Sequence, residues 1–392
     1  MNDRGNKLLL TFSIFMARLA LFFCRLTRSG GTNVPGTVAL FFCPDIFTRL
    51  AADKDIIAVT GTNGKTTTTA MIRHIFSVRG ISVISNREGA NLDSGLVSTF
   101  LKHCDLKGSS SEKTAVLECD EKWVPLVFQK VRPKVLVITN LAEDQLDRTG
   151  GPEVIYQSLL SYAKTIPVDL CINKNCPVSS RFRDEDLNNR ILSFSADGSG
   201  VSVDGVPYPV CLPVSGNNNT ENAAAAAAAC IPFGIPAEVS LDALKDFHAP
   251  FGRMETFSLD GVSVTICLSK NAVSTNGLLN YIEATKADSQ VIMCFNANRG
   301  DGADRTWIQK IGFLPEMTCL NDVIIGGACA EDLAHALRRA GHSCHYAKNT
   351  ESVVSLIRAS SKPVFLIVNP SYLLKIRKAF AKKGYLKDFW KL

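Results

Sequence analysis

The sequence predicts an α/β fold: a P-loop domain on a parallel-rich sheet, followed by a smaller, Rossmann-like C-terminal α/β domain. Three observations carry that expectation. Short apolar runs alternate with helix-length segments along most of the chain. One run, DIIAVT (55–60), passes through the glycine turn GTNGKTT (61–67) into a helical pattern, and the alternation breaks at IPFGIPAEVS (231–240) before resuming. Strand–helix alternation argues for parallel strands whose connecting helices cover both faces. With 392 residues, 46% hydrophobic and 20% charged, the chain can bury two ordinary cores. The expected divisions are 1–50 for an N-terminal helix and lead-in, 51–245 for the ATP-binding domain and 246–392 for the second domain.

The N-terminal stretch KLLLTFSIFMARLALFFCRL (7–26) is strongly apolar, but Arg18 interrupts it short of a membrane span. No small-residue cleavage motif follows it. Two readings stay open: an amphipathic helix packed on the chain's own core, or an interfacial helix turning Arg4, Lys7, Arg18, Arg25 and Arg28 towards anionic lipid. A Gly/Pro-rich connection, SGGTNVPG (29–36), leads into the alternating region. Its strands are DIIAVT (55–60), TAVLE (114–118), KVLVITN (134–140) and VDLCIN (168–173), with helices from Lys65, near 124–130 and near 152–164. ENAAAAAAAC (221–230) reads as an alanine-rich helix suited to close packing. Beyond PFGRMETF (250–257) come strands at 262–268, 290–295, 322–327 and 364–369, separated by helices near 275–284, 329–340, 351–358 and 372–382.

Bulk properties exclude several function classes. A formal charge of +6 is mild, and no nucleic-acid-binding pattern accompanies it. Thirteen cysteines, an odd number without a C-x-x-C pair, describe reduced thiols in a cytosolic protein more than a disulfide framework. His342, Cys344 and His345 lack a second ligand pair and read as part of a strand, so no zinc is assigned to them.

The chemistry concentrates in GTNGKTT. Gly61 and Gly64 permit the tight turn that aims successive amides at phosphate oxygens, and Thr62 and Asn63 lie between them. The helix beginning at Lys65 adds its N-terminal amides, including those of Thr66 and Thr67, and its positive dipole end. Lys65 supplies charge for the β/γ-phosphates, and the Thr66 hydroxyl can ligate Mg²⁺. Val59 stands where the usual G-x-x-x-x-G-K-[ST] pattern has its first glycine. Three further strand ends add candidates. LECDE (117–121) brings Glu118, Asp120 and Glu121, carboxylates suited to Mg²⁺ beside phosphate, or alternatively a solvated acidic turn. TNLAEDQLDR (139–148) brings Asn140, Asp144, Gln145, Asp147 and Arg148, and SNREGANL (85–92) brings Arg87 and Asn91.

Together TGTNGKTTTT, NREGAN, the acidic strand end, TNLAEDQLDR and GNNNTENAAAA resemble the ATPase domain of the Mur ligase family, which activates a carboxylate as an acyl phosphate for attack by an amine. GGTNVPGTVALFFCPDIFTRLA (30–51), Gln145 where other members have His, FGRMETF (251–257), SKN (269–271), DGADRTWI (301–308) and EDLAHALRRAG (331–341) resemble its MurT-type branch. The resemblance covers nearly the whole chain. It implies ATP- and Mg²⁺-dependent amidation of the D-glutamate α-carboxylate of lipid II at the cytoplasmic face of the membrane. Ammonia would come from a GatD-type glutamine amidotransferase partner. It further implies Lys65, Glu118 and Asp304 as catalytic residues, with Thr66 and Glu118 on Mg²⁺. Gly61, Thr62, Asn63, Gly64, Lys65, Thr66, Thr67, Asn140, Asn219, Asn222 and Arg253 would contact nucleotide; Gly216, Asn219 and Asn222 match the family's G-x-(H/Y)-N-x-x-N segment. Asp304 would orient the partner's histidine, with Asp301 the competing assignment.

The departures are specific. The family's four-cysteine zinc ribbon has only Cys176 and Cys211 in the corresponding stretch, so no zinc is expected there. N-D-N reads Asn296, Ala297, Asn298; W-I-W-D reads Trp307, Ile308, Gln309, Lys310; KNPxG reads Lys270, Asn271, Ala272, Val273, Ser274. Two other functions therefore stay open: a diverged ligase using another amine or carboxylate, and a regulatory ATP-binding subunit.

Overall fold

The computed structural model describes residues 3–26, 33–86, 92–143, 150–197, 200–213, 217–248, 252–285, 288–298 and 304–386, with backbone only at 3–5, 25–26, 217 and 253. The chain forms two compact units, Met1–Ala142 with Gly151–Phe247 and Glu143–Gly150 with His248–Leu392.

Among the described residues the first unit has eight strands: β1 (Asp55–Thr60), β2 (Val83–Ser85), β3 (Thr114–Glu118), β4 (Val135–Ile138), β5 (Asp169–Asn173), β6 (Ile191–Asp197), β7 (Gly200–Val203) and β8 (Val206–Tyr208). Their order is β2-β3-β1-β4-β5-β6-β7-β8, parallel from β2 through β6 and antiparallel from there to β8. The central strands are near-continuous apolar runs because helices cover both faces, and β3 and β4 are buried along their whole length. The alanine-rich helix, Asn217–Cys230, presents Ala223 through Ala229 fully buried and packs on β6, β7 and the helix Lys65–Val78. Small side chains let those backbones approach closely.

The N-terminal helix is one uninterrupted element, Asp3–Leu26, and it runs straight through Arg18. Its segment Asn6–Cys24 is long and apolar enough to cross a membrane by length and composition. The expectation that Arg18 would cut the run short is thus corrected. That guanidinium donates to the carbonyl of Cys104 and needs no helix break. Ser13, Ile14 and Ala17 are buried in the unit's core.

The second unit has β9 (Arg253–Leu259), β10 (Val262–Leu268), β11 (Gln290–Cys294), β12 (Val323–Gly326), β13 (Cys344–Tyr346) and β14 (Val364–Val368), ordered β13-β12-β11-β14-β10-β9. All neighbours are parallel except β9, which returns antiparallel beside β10. Two hydrophobic clusters flank this sheet, one around Phe295, Leu320 and Leu333 and one around Ile266, Leu366 and Phe380. His342 precedes β13 and hydrogen-bonds through Nε2 to the carbonyl of Leu314 at 2.8 Å. His345, on β13, faces Asp322 at 3.4 Å. The two histidines thus serve different structural contacts.

Two hairpins were not anticipated from the sequence. Asp204–Gly205 joins β7 to β8 and Asp260–Gly261 joins β9 to β10, with φ of 52°, 83°, 50° and 91° in that order. Two consecutive positive-φ residues make the primed turn whose twist matches antiparallel strands, and Asp-Gly is its preferred dipeptide.

Candidate phosphate-binding site

Parallel strands put all their carboxyl ends at one edge of the sheet. In the first unit that edge gathers Asn86 after β2, Glu118 ending β3, Gly61 after β1, Thr139 and Asn140 after β4, and Asn173 ending β5. The strand order reverses at β1, where chain-adjacent connections leave to opposite sides, and ligands of open α/β sheets bind at such points.

The loop 61–64 is held there by its neighbours. Thr62 N donates to the carbonyl of Asn140 at 2.8 Å, and Asn63 N donates to Asn140 Oδ1 at 3.0 Å. Asn140 Nδ2 and Thr139 Oγ1 donate to the carbonyl of Asn63 at 3.2 and 2.6 Å. Asn140, expected to contact nucleotide, therefore uses its amide to brace the loop. Gly64 caps the helix Lys65–Val78 with φ 86° and ψ −15°. A Cβ there would lie 2.2 Å from Asn222 Oδ1, and one on Gly61 would lie 2.2 Å from Thr139 Oγ1. Both positions thus require glycine on conformation and on space.

The first intrahelical bond is Thr68 N to the carbonyl of Gly64 at 2.8 Å. Amides ahead of that bond, at Lys65, Thr66 and Thr67, belong to the turn that has no intrahelical acceptors. Thr67 is buried, whereas Thr66 is only half-buried and stands at the rim. Thr68 Oγ1 donates to Asn222 Oδ1 at 3.2 Å, so the alanine-rich helix touches the loop through a buried asparagine. Asn219, one turn earlier, is half-buried.

Lys65 is buried and its ammonium donates to the carbonyl of Gly61, with Thr62 O at 3.5 Å and Glu121 Oε2 at 3.3 Å. Burial alone would pull its pKa down. The charges of Glu121, Glu118 and Asp120 outweigh that and hold it above the ordinary lysine value. Glu118 is buried at the end of β3, and Asn86 clamps its backbone: Glu118 N donates to Asn86 Oδ1 at 2.8 Å and Asn86 Nδ2 donates to the Glu118 carbonyl at 2.7 Å. Asp120 caps the short helix Glu121–Trp123. Three carboxylates beside one ammonium leave excess negative charge, which a divalent cation would offset. The arrangement accordingly suits a polyphosphate on the helix end with Mg²⁺ between it and Glu118, and Thr66 as hydroxyl ligand.

Sequence reasoning passed over two residues of this site and misjudged the partner of a third. Asn86 and Thr139 make their contacts only through strand adjacency, which residue spacing does not display. Glu121 was noted as acidic, but not as the partner of Lys65.

Other expected residues lie elsewhere or outside the description. Asp304 is in the second unit, where its Oδ1 accepts from Thr306 N at 2.8 Å and Thr306 Oγ1 at 2.7 Å, opening the short helix Thr306–Lys310. Those bonds hold its carboxyl below the usual aspartate range. Asp301, Gly216, Arg87, Asn91, Asp144, Gln145, Asp147, Arg148 and the side chain of Arg253 lie outside the described residues. Trp307 stacks obliquely on Phe295 at 5.2 Å, and Gln309 Nε2 donates to the carbonyl of Asp332 at 3.2 Å. Asn296 and Asn369 link the ends of β11 and β14: Asn296 N donates to Asn369 Oδ1 at 3.1 Å, and Asn369 Nδ2 to Asn296 O at 2.7 Å. Cys176 is buried against Leu141, whose amide donates to its sulfur at 3.3 Å, while Cys211 is exposed. Among the described residues no group of three or more His, Cys, Asp and Glu side chains is arranged to hold a metal.

Comparison with known proteins agrees with this geometry. Residues 59–230 match the Mur ligase middle domain, and residues 268–372 match the MurT ligase C-terminal domain. The chain is 26% identical to the MurT subunit of lipid II isoglutaminyl synthase (glutamine-hydrolyzing) from Staphylococcus aureus strain COL, covering 84% of this chain and 87% of that one. It is also 26% identical to the subunit of the same name from Streptococcus pneumoniae strain R6, covering 92% and 95%. Among solved structures, MurF from Acinetobacter baumannii aligns with a TM-score of 0.68 at 18% identity, over 90% of this chain and 79% of that one. MurC from Thermotoga maritima aligns at 0.62 and 20%, over 88% and 78%. At such identities these two likenesses speak for the fold alone.

Proposed function

This chain belongs to the Mur ligase family and carries a MurT-type C-terminal domain, and on that premise we propose that it is the ATP-dependent ligase subunit of a lipid II amidating enzyme. The observation that carries the reading is the buried Lys65 at the helix end, bound by the glycine loop and ion-paired with Glu121 at 3.3 Å. ATP would lie with its phosphates on the helix-end amides of Lys65, Thr66 and Thr67, those of Thr62 and Asn63 being bound to Asn140, and Lys65 would neutralise charge that develops on the transferring phosphoryl group. Mg²⁺, held by Thr66 and Glu118, would supply charge neutralisation between the phosphates. Asn219 and Asn222 are assigned to the nucleotide side of the site, with Asn222 acting from its place beside Gly64.

The substrate carboxylate oxygen takes the γ-phosphoryl group and ADP leaves. Ammonia then attacks the carbonyl carbon, phosphate departs, and a carboxamide remains. The names of its relatives point to lipid II and an isoglutaminyl product; on the family resemblance we assign the reacting group as the α-carboxylate of D-glutamate, the product as D-isoglutamine and the place as the cytoplasmic face of the membrane. The ammonia source is a GatD-type glutamine amidotransferase, and Asp304 is proposed to orient the histidine of that partner. An aspartate in this role fixes the imidazole tautomer and stabilises the imidazolium.

Mass spectrometry of lipid II tests the reading. Incubated with ATP, Mg²⁺, glutamine, the chain and a GatD-type partner, lipid II should exchange one hydroxyl for an amino group at the glutamate. Unchanged lipid II, with both subunits folded and free ammonia also supplied, would overturn the amidation assignment. Asp304→Asn should abolish glutamine-fed product yet leave ammonia-fed product intact; loss of both would move Asp304 to the ligase step.

A further inference from the structure

The N-terminal helix Asp3–Leu26 has two apolar faces, and the fold uses one. Ser13, Ile14 and Ala17 are buried, and Arg49 Nη1 donates to the carbonyl of Asn6 at 2.7 Å, so the helix is fastened along that side. On the opposite side Leu8, Phe12, Phe15, Leu19 and Phe22 recur at spacings of four and three, which aligns them in one stripe. All five are exposed, Leu8 to 71% and Phe22 to 59%. Phe12 meets Phe42 edge-on at 5.2 Å, Phe42 meets Phe41 at 5.1 Å, and Phe41, on the helix Val34–Phe42, is 80% exposed. The stripe therefore widens into a patch across two helices. Contiguous apolar surface of this kind marks an interaction site.

Charge selects the occupant. Positions 7, 18 and 25 are separated by 11 and 7 residues, close to whole turns, so their backbone positions form one basic row along an edge of the stripe, in which the Arg18 guanidinium also donates to the carbonyl of Cys104. Between residues 6 and 26 the helix carries no acidic residue. A second copy laid on this face would bring one basic row towards another, whereas anionic headgroups would neutralise it. Since its other face is committed to the core, the helix cannot cross a bilayer and must lie in its plane.

We propose that the stripe Leu8–Phe12–Phe15–Leu19–Phe22, together with Phe41, docks this chain on an anionic lipid surface. The aromatic and leucine side chains enter the acyl boundary by about 5–10 Å, with the basic row at headgroup level. The inference rests on this surface alone and stands or falls separately from the amidation reading.

Flotation of the full chain with vesicles tests it. With equimolar phosphatidylglycerol and phosphatidylcholine the chain should float, and with phosphatidylcholine alone it should float far less. The triple substitution Phe15→Ser, Phe22→Ser, Phe41→Ser should cut the floated fraction by about tenfold while preserving the thermal melt. A second measurement covers the case in which that variant misfolds. Phe22→Trp should add an indole emission that lipids brominated on their acyl chains quench. A wild-type chain that stays with the soluble fraction, a triple variant that floats equally well, or an added indole that escapes quenching would each overturn the proposal. So would a dimer that forms without vesicles and dissociates on the triple substitution, because the stripe would then belong to a second copy.

Discussion

Lys65 sits where two opposing demands meet. Burial disfavours its charge, yet Glu121, Glu118 and Asp120 keep it protonated, so a compact cation is fixed at the loop without a bound anion being needed to hold it. Lys65→Ala should therefore lower ATP-dependent turnover by about a hundredfold or more while leaving circular dichroism unchanged, because the lost interaction strengthens as phosphoryl charge develops. Turnover at the wild-type rate would refute the phosphate role. Gly64→Ala acts through the backbone instead. Forcing a β-carbon onto φ 86° costs roughly 1–2 kcal/mol, and the new methyl also displaces Asn222 from Thr68. Adding Asn222→Ala should relieve the clash but not the torsional strain, so the double variant should remain less stable than Asn222→Ala alone by denaturant unfolding. Equal stabilities would show that the clash, not the torsion, demands glycine. Much of this site was legible because Gly61, Gly64, Lys65 and Thr66 are contiguous in sequence. The braces were not. Asn86 reaches Glu118 across 32 residues and Thr139 reaches Asn63 across 76, distances that only the sheet closes.

At the scale of elements, one helix of the second unit is stapled by a single carboxylate. Glu283, near the end of the helix Ala272–Thr285, accepts from Cys319 N at 2.9 Å and from Thr318 N at 3.1 Å and Thr318 Oγ1 at 2.9 Å. The Cys319 and Thr318 amides depress its pKa to about 2, from an unfolded value near that of an ordinary glutamate. A depressed carboxylate contributes stability that is present above its unfolded pKa and is lost as pH falls towards the folded one. Glu283→Gln should thus cost about 1 kcal/mol at pH 6, and the difference should shrink between roughly pH 4.5 and 2. A pH-independent difference across that window would mean that shape, not charge, holds the staple. Strands such as β1, β11 and β14 were legible as apolar runs because both of their faces are covered. The hairpins at Asp204–Gly205 and Asp260–Gly261 carried a readable turn signal, but β7, β8 and β9 beside them are short or polar strands that lack an apolar run. The helices Val34–Phe42, Ile46–Ala51 and Asp93–His103 escaped notice for another reason. Pro35 and Gly36 open the first of them and resemble a linker, while packing against neighbouring helices supplies the stability that local propensity does not.

For the molecule as a whole, two units with separate hydrophobic clusters imply two unfolding events. The loop, its braces and its carboxylates all belong to the first unit, so Mg²⁺–ATP should act mainly on one of those events. At a free concentration of a hundred times Kd, a ligand that binds only the native form adds about 2.7 kcal/mol. For a unit of this size that corresponds to an upward shift of roughly 5–10 °C in one transition. Differential scanning calorimetry of the wild-type chain with and without Mg²⁺–ATP should display that shift, and hydrogen exchange should locate it by added protection at β1, β3 and the helix Lys65–Val78. Lys65→Ala should remove the shift, and its own ligand-free transition should start lower because Glu121 is left buried without its cation. A shift that survives in Lys65→Ala would put the nucleotide elsewhere, and the absence of any shift in the folded wild-type chain would remove ATP from the reaction.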